Sequence, residues 1–178
     1  MTEDATAGGW NGRVWRLAGP LILSNMSIPL LGAVDTAVVG RMPDPSYIGA
    51  VALGSLVFSY LYWGCGFLRM GTTGLTAQAV GAGDLDEARA VFLRAAIVGA
   101  AAALLFVSLQ AVIGKSAFGL LGGSVEVERL ANLYFRTRIW GAPAALANFA
   151  VIGWLFGVEK TRYTLAIQIV QNLLNMGL

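Results

Sequence analysis

Long apolar stretches separated by short charged clusters set the pattern of the chain. From Leu17 to Gly40 the only charged residue is Asp35, and Pro45 to Leu68, Ala95 to Gly114 and Ile139 to Val158 carry none. From Tyr163 the chain is uncharged to Leu178. Each of the first four stretches reaches the ~20 residues that a helix needs to cross a bilayer core, and the last falls short of it. The stretches do not alternate in polarity and are rich in Leu, Ala, Val and Gly, which predicts membrane helices rather than barrel strands. The expected spans are 15–40, 46–70 extending toward 80, 88–114, 130–157 and a truncated 162–178. They make a transmembrane unit over 14–178, after a polar tail at 1–13.

The connections carry their own signals. They are expected at Arg41–Pro45, Gly81–Glu87, Gly114–Arg129 and Gly157–Thr161. Asp84 stands three residues before Glu87, an N-cap followed by a capping-box acid, so the third helix is expected to start near Asp84 with an exposed polar first turn. The first apolar run is too long for a signal-peptide core and is read as a retained span.

Composition narrows the function. Of 178 residues 57% are hydrophobic and 12% charged, whereas a soluble domain carries about 25% charged residues. Mean hydropathy is +0.69. Twelve Lys and Arg against ten Asp and Glu leave no basic footprint for nucleic acid. With no His and one Cys, a structural zinc site, a disulfide framework and a His-dependent triad are excluded. No P-loop occurs, and Gly81-Ala-Gly83 is too short a signal for a nucleotide site. No enzymatic activity, cofactor or metal is expected. Lys and Arg lie at Arg13, Arg16, Arg89, Arg94, Lys160 and Arg162 on one side, against Arg41, Lys115, Arg129, Arg136 and Arg138 on the other. That asymmetry favours a cytoplasmic N-terminus.

Asp35 is the only acid inside an apolar stretch. It precedes Arg41 by six residues, roughly 9 Å of helix, which places it in the outer half of the membrane. A carboxylate at such depth costs at least ~2.5 kcal/mol and normally faces a protein interior or a wet cavity. Loss of hydration disfavours its charged form, so it is a candidate proton carrier; the other reading is an acid bonded permanently to a neighbouring helix. Pro20 and Pro29 share that helix, and Pro29 deprives the Asn25 carbonyl of its usual donor. Ser24, Ile28, Leu31, Gly32 and Asp35 fall on one face. The bend is either a moving part or a static kink.

Gln168, Gln171, Asn172 and Asn175 form a second polar stripe at i, i+3, i+4, i+7. Amides are costly against lipid, so the stripe is expected to face the bundle, as a cavity lining or as glue between two helices. Asn148 is a weaker case of the same kind. Arg69 is read as snorkelling to the cytoplasmic headgroups, Cys65 as a small buried residue, and Tyr60, Tyr62 and Trp63 as either pocket walls or interface anchors.

These segments resemble a known family. Leu17-Ala-Gly-Pro-Leu-Ile-Leu-Ser-Asn25 and Leu31-Gly-Ala-Val-Asp-Thr-Ala-Val-Val-Gly40 are similar to the first helix of the multidrug and toxic compound extrusion (MATE) transporters. Phe67-Leu-Arg-Met-Gly-Thr-Thr-Gly-Leu-Thr-Ala-Gln-Ala-Val-Gly-Ala-Gly83 is similar to the second helix and following loop of its DinF branch. The resemblance runs from about Arg16 to the end of the chain. It implies twelve helices in two six-helix lobes, and exchange of a cytoplasmic substrate, often an amphipathic organic cation, for an inward ion, usually a proton in the DinF branch. Sodium is the other candidate ion. The family's first-helix acid falls on Asp35, its first-helix proline on Pro20, and its fifth-helix asparagines on Asn172 and Asn175.

Five helices make up most of one lobe, so the chain is expected to be an N-terminal piece of a longer inner-membrane protein. Its partners would then be the facing lobe, membrane lipid, the small organic substrate and protons. The alternatives are a flippase of lipids or lipid-linked sugars from the same superfamily, for which Arg136 and Arg138 are the basic candidates, and a non-transporting membrane subunit.

Overall fold

The computed structural model describes residues 44–177, with side chains to residue 171, and only isolated positions before 44. The tail at 1–13 and the first expected span, with Pro20, Pro29 and Asp35, therefore lie outside the described residues. The rest is helical, with no strand among the described residues. The helices are α1 (Ser46–Gly64), α2 (Gly66–Gly81), α3 (Leu85–Ser108), α4 (Gln110–Leu121), α5 (Val125–Arg138), α6 (Ala142–Gly157) and α7 (Thr161–Gly177).

The first six helices pair into three long, interrupted rods. Three stretches, Ser46–Gly81, Leu85–Ser108 and Val125–Gly157, are long and apolar enough to cross a membrane. The first and third rods break where the sequence weakens helical bonding. Cys65 stands between Gly64 and Gly66, residues of low helix propensity, and its N–H turns to the Tyr62 carbonyl three residues back. The third rod tightens into a 3-10 turn at Ile139–Gly141. Pro143, in the first turn of α6, has no N–H for the Ile139 carbonyl, which instead accepts from Ala142. The second rod bends at Leu109.

Helix ends follow local chemistry. Ser46 N–H donates to Asp44 Oδ1 at 2.8 Å, and this bond holds the Asp44 carboxyl below the usual carboxylate range. Asp84 caps α3, accepting from Glu87 N–H at 2.8 Å, and the exposed first turn carries an Arg94–Glu87 pair at 2.6 Å. Two connections close on the same C-terminal motif. After α2, Gly83 is left-handed (φ 75°), and Gly83 and Asp84 donate to the Val80 and Ala79 carbonyls. After α6, Glu159 is left-handed (φ 58°), and Glu159 and Lys160 donate to Phe156 and Leu155.

The connection expected at Gly114–Arg129 is mostly helix. α4 runs on to Leu121 and α5 starts at Val125. Ser124 Oγ accepts from Val127 N–H at 3.3 Å, Glu128 accepts from Gly123 N–H at 3.1 Å, and Gly122 is left-handed (φ 62°). The charges at Glu126, Glu128 and Arg129 that suggested a loop sit in the first turns of α5, where Arg129 pairs with Glu126 at 2.7 Å.

Three small cores stack along the rods. Phe58, Phe118 and Phe135 meet in the first, Cys65, Ala103 and Leu146 in the second, and Leu68, Ala95 and Ala150 in the third. Numbers rise along the first and third rods while they fall along the second, so rods one and three run parallel and rod two antiparallel. The closest packing is between α6 and α2. Gly153 and Gly157 lie one turn apart on α6. A Cβ on Gly153 would stand 2.7 Å from the Arg69 carbonyl, and one on Gly157 would press on the Thr76 side chain. Small residues at this spacing let membrane helices touch backbone to backbone. Trp154 Nε1 donates to the Ala88 carbonyl at 3.0 Å and ties α6 to the start of α3. Outward, large apolar side chains such as Trp63, Leu120 and Val125 are more than four-fifths exposed. A lipid surround makes that exposure harmless.

Candidate functional site

The polar residues of α7 begin about two turns earlier than the amide stripe. Thr161 and Thr164 are buried, and Gln168 follows on the same face, half-buried. Thr164 Oγ1 and Gln168 Oε1 are fully covered and take no hydrogen bond from any described residue. Buried polar atoms are almost always paired, so two unpaired ones on one covered face mark a place where an ordered water or a rearranged side chain would complete the bonding. Gln171 is exposed. The helix continues through Asn172 and Asn175, whose side chains lie outside the described residues. The expected stripe is thus seen at Gln168, turned in, and at Gln171, turned out. Thr161 and Thr164 were not singled out from the sequence, although they extend the i, i+3, i+7 pattern that ends at Gln168.

Asn148 is half-buried on α6. It does not supply the missing hydrogen bond of Gln168 Oε1. On α2, Thr76 is fully buried against Gly157 with its own hydroxyl unpaired. The neighbouring Thr72 gives its hydroxyl to the Leu68 carbonyl at 2.6 Å, and Thr73 lies 3.1 Å from the Gly153 carbonyl. Cys65 is buried as expected. Arg69 lays its guanidinium over the Phe149 ring, 5.9 Å from the centroid. Tyr60 and Trp63 are exposed, whereas Tyr62 is half-buried and stacks on Phe58. A surface notch at Gly83, Asp84, Asp86 and Arg89 is formed by the α2–α3 turn, is walled by an exposed Arg89–Asp86 pair, and has no part in this face.

A second polar group was reached only in part from the sequence. Arg138 Nη1 donates to the Tyr134 hydroxyl and lies 3.5 Å from Ser55 Oγ. Tyr134 and Ser55 are themselves 3.4 Å apart. Basic character at Arg138 was legible, but its aromatic and hydroxyl partners come from pairing α1 with α5.

Comparison with known proteins is consistent with this architecture. The MatE family model matches residues 20–178. The chain is 41% identical over 93% of its length to the DNA damage-inducible protein F of Escherichia coli (strain K12), covering 36% of that protein. It is 28% identical over 91% of its length to a probable multidrug resistance protein NorM of Caulobacter vibrioides, covering 34% of it. It is 27% identical over 90% of its length to the multidrug resistance protein PmpM of Pseudomonas aeruginosa, covering 33%. The chain thus spans about a third of the length of these curated relatives. No solved structure gives a significant match. With the family match over residues 20–178 and the helical, membrane-apolar fold, the chain belongs to the MATE family of membrane proteins, in its DinF branch.

Proposed function

We propose that the intact protein is a proton-coupled secondary exporter of amphipathic organic compounds, with this chain contributing most of its N-terminal lobe. The observation that carries the reading is the inward polar face of α7, where Thr164 and Gln168 bury unpaired polar atoms, on a chain whose relatives are named as multidrug resistance proteins. In this account Asn172 and Asn175 extend that face, Asn148 borders it, Asp35 carries the proton, and Pro20 and Pro29 let the first helix bend. Proton and substrate stabilise different arrangements of the lobe, and each shifts the balance only by its differential affinity. Protonation of Asp35 removes a charge from an apolar setting, and the first helix can then close on the cavity. The facing lobe completes the central cavity, and lipid surrounds both.

The test is export of ethidium from proteoliposomes of the intact protein. An imposed pH gradient should drive export and an imposed sodium gradient of equal size should not. Export driven by sodium alone would contradict proton coupling, and no export under either gradient would remove the transporter reading.

The proposed orientation puts the N-terminus, Arg89 and Lys160 in the cytoplasm of a bacterial cell and Lys115 outside, following the Lys and Arg asymmetry. In a Cys65→Ser background, Lys115→Cys should react with a membrane-impermeant maleimide added to intact cells, and Arg89→Cys should react only after lysis. The reverse labelling pattern would invert the topology.

A further inference from the structure

The three rods are interrupted at one level. Phe58 of α1, Phe118 of α4 and Phe135 of α5 belong to the first core, and Cys65, Ala103 of α3 and Leu146 of α6 to the second. Rod one breaks at Cys65, rod two bends at Leu109 and rod three tightens at Ile139–Gly141. Leu109 thus falls between Ala103 and Phe118, the 3-10 turn between Phe135 and Leu146, and Cys65 at the edge of the second core. Rod two runs opposite to the others, yet its bend meets theirs.

The packing divides at the same level. α1, α4 and α5 pack on one another on one side, and α2, α3 and α6 on the other. The closer contacts between the two groups are those of helices consecutive in the chain and those of the 3-10 turn. Polar links between helices respect the division. Tyr134 and Ser55 join α5 to α1, whereas Thr73 donates from α2 to the Gly153 carbonyl of α6 and Trp154 donates from α6 to the Ala88 carbonyl of α3. Rings bridge the level, since Tyr62 and Phe106 each pack against both the first core and the second. Apolar contact is non-directional, so surfaces of this kind slide where hydrogen-bonded ones hold.

The glycines sort in the same way. Gly153 and Gly157 are held by packing, because a Cβ there would press on α2. Gly64, Gly66 and Gly141 stand at the joints, and a Cβ at any of them would meet nothing within 4 Å. Packing therefore does not require glycine at these three positions. What glycine supplies there is backbone freedom, at a cost in helix propensity. Pro143 loosens the third joint further by leaving the Ile139 carbonyl without its donor four residues on.

We infer that the lobe consists of two rigid half-bundles, α1/α4/α5 and α2/α3/α6, that tilt on one another at this level. The lobe changes shape by a small bend in three rods at once, with the cores intact, instead of moving as one body. A change of about 20° in bend, the size of a marked helix kink, carries the far end of the 12-residue α4, an arm of about 18 Å, through about 6 Å. The hinge goes beyond the export reading, and the tilt exists without transport.

The test is double electron–electron resonance between nitroxide pairs on the intact protein in lipid nanodiscs. No gradient is applied, so a failure of export leaves the result unaffected. In a Cys65→Ala background, Leu120→Cys with Leu75→Cys spans the level. Leu120→Cys with Leu133→Cys reports the first half alone, and Leu75→Cys with Leu93→Cys the second; all four side chains are exposed. The distance distribution across the level should be at least about twice as wide as either control, or shift by about 6 Å when tetraphenylphosphonium is added. Replacing Gly64, Gly66 and Gly141 together by Ala should narrow it to the width of the controls. Gly119→Ala, an equally open position away from the joints, should leave it unchanged. Should the triple variant not be recovered, Pro143→Ala, which returns a donor to the Ile139 carbonyl, should narrow it in part. A pair across the level as narrow and as fixed as both controls would overturn the inference. So would equal broadening of all three pairs, or a width that the joint substitutions leave unchanged.

Discussion

Gly157→Leu will separate α6 from α2 and destabilise the bundle more than any other single glycine replacement on α6. The Cβ that any other residue brings to this position would meet Thr76 Cγ2 at 2.7 Å and the Thr73 carbonyl at 2.9 Å. The carbonyl belongs to helix backbone and cannot rotate away. Thr76 is fully buried and has no vacant side to turn to. Gly153 is held similarly, with Thr72 Cβ at 3.0 Å and the Arg69 carbonyl at 2.7 Å. Overpacking of this kind costs about 1–3 kcal/mol for a methyl-sized change and more for a larger one. Gly157→Ala should therefore lower the thermal midpoint of the purified protein clearly, and Gly157→Leu should prevent recovery of folded protein. Gly119 on α4 is the control, because nothing lies within 4 Å of its Cβ position. Gly119→Ala should raise stability by about 0.5–1 kcal/mol through chain entropy alone. Equal midpoints for wild type and Gly157→Ala would show that the two helices are not in backbone contact.

Asp35→Asn is expected to abolish export driven by a pH gradient while leaving the protein folded. The amide matches the protonated carboxyl in size and in much of its hydrogen bonding, and it avoids a charge in an apolar setting. The variant thus resembles one end of the transport cycle and cannot reach the other. Transport should fall by at least about tenfold, within the range of coupling energies that link two ligands on one protein. Binding of an organic cation should survive within a few fold. Export by the variant at the wild-type rate would leave Asp35 a structural acid.

Much of the helical arrangement follows from where charges stop. Four of the five apolar runs are helical over the described residues, and the Asp84 cap lies where its spacing to Glu87 indicates. The third connection is shorter than its charges indicate, since α4 runs to Leu121 and α5 starts at Val125. Lys115 lies in the middle of α4, and Glu126, Glu128 and Arg129 lie in the first turns of α5, because a helix bonds its own backbone whatever its side chains are. The capping signal was present at Ser124. The break before α6 was legible in Pro143, which must orphan a carbonyl one turn back. The bend at Leu109 has no comparable residue. At the site, periodicity put the four amides on one stripe, yet Gln168 and Gln171 differ in exposure. Residues i and i+3 are 60° apart around a helix, and only the packing of α7 decides which of them turns inward. The Arg138 cluster depends on α1 lying parallel to α5, a long-range pairing that no local pattern encodes.

The proton itself is the most direct observable. Adding an organic cation to the detergent-solubilised intact protein in weakly buffered solution, with a pH indicator dye, measures protons released on binding. The account predicts release from the wild type near pH 7, and none from Asp35→Asn although that variant still binds. Equal release from both proteins would contradict it.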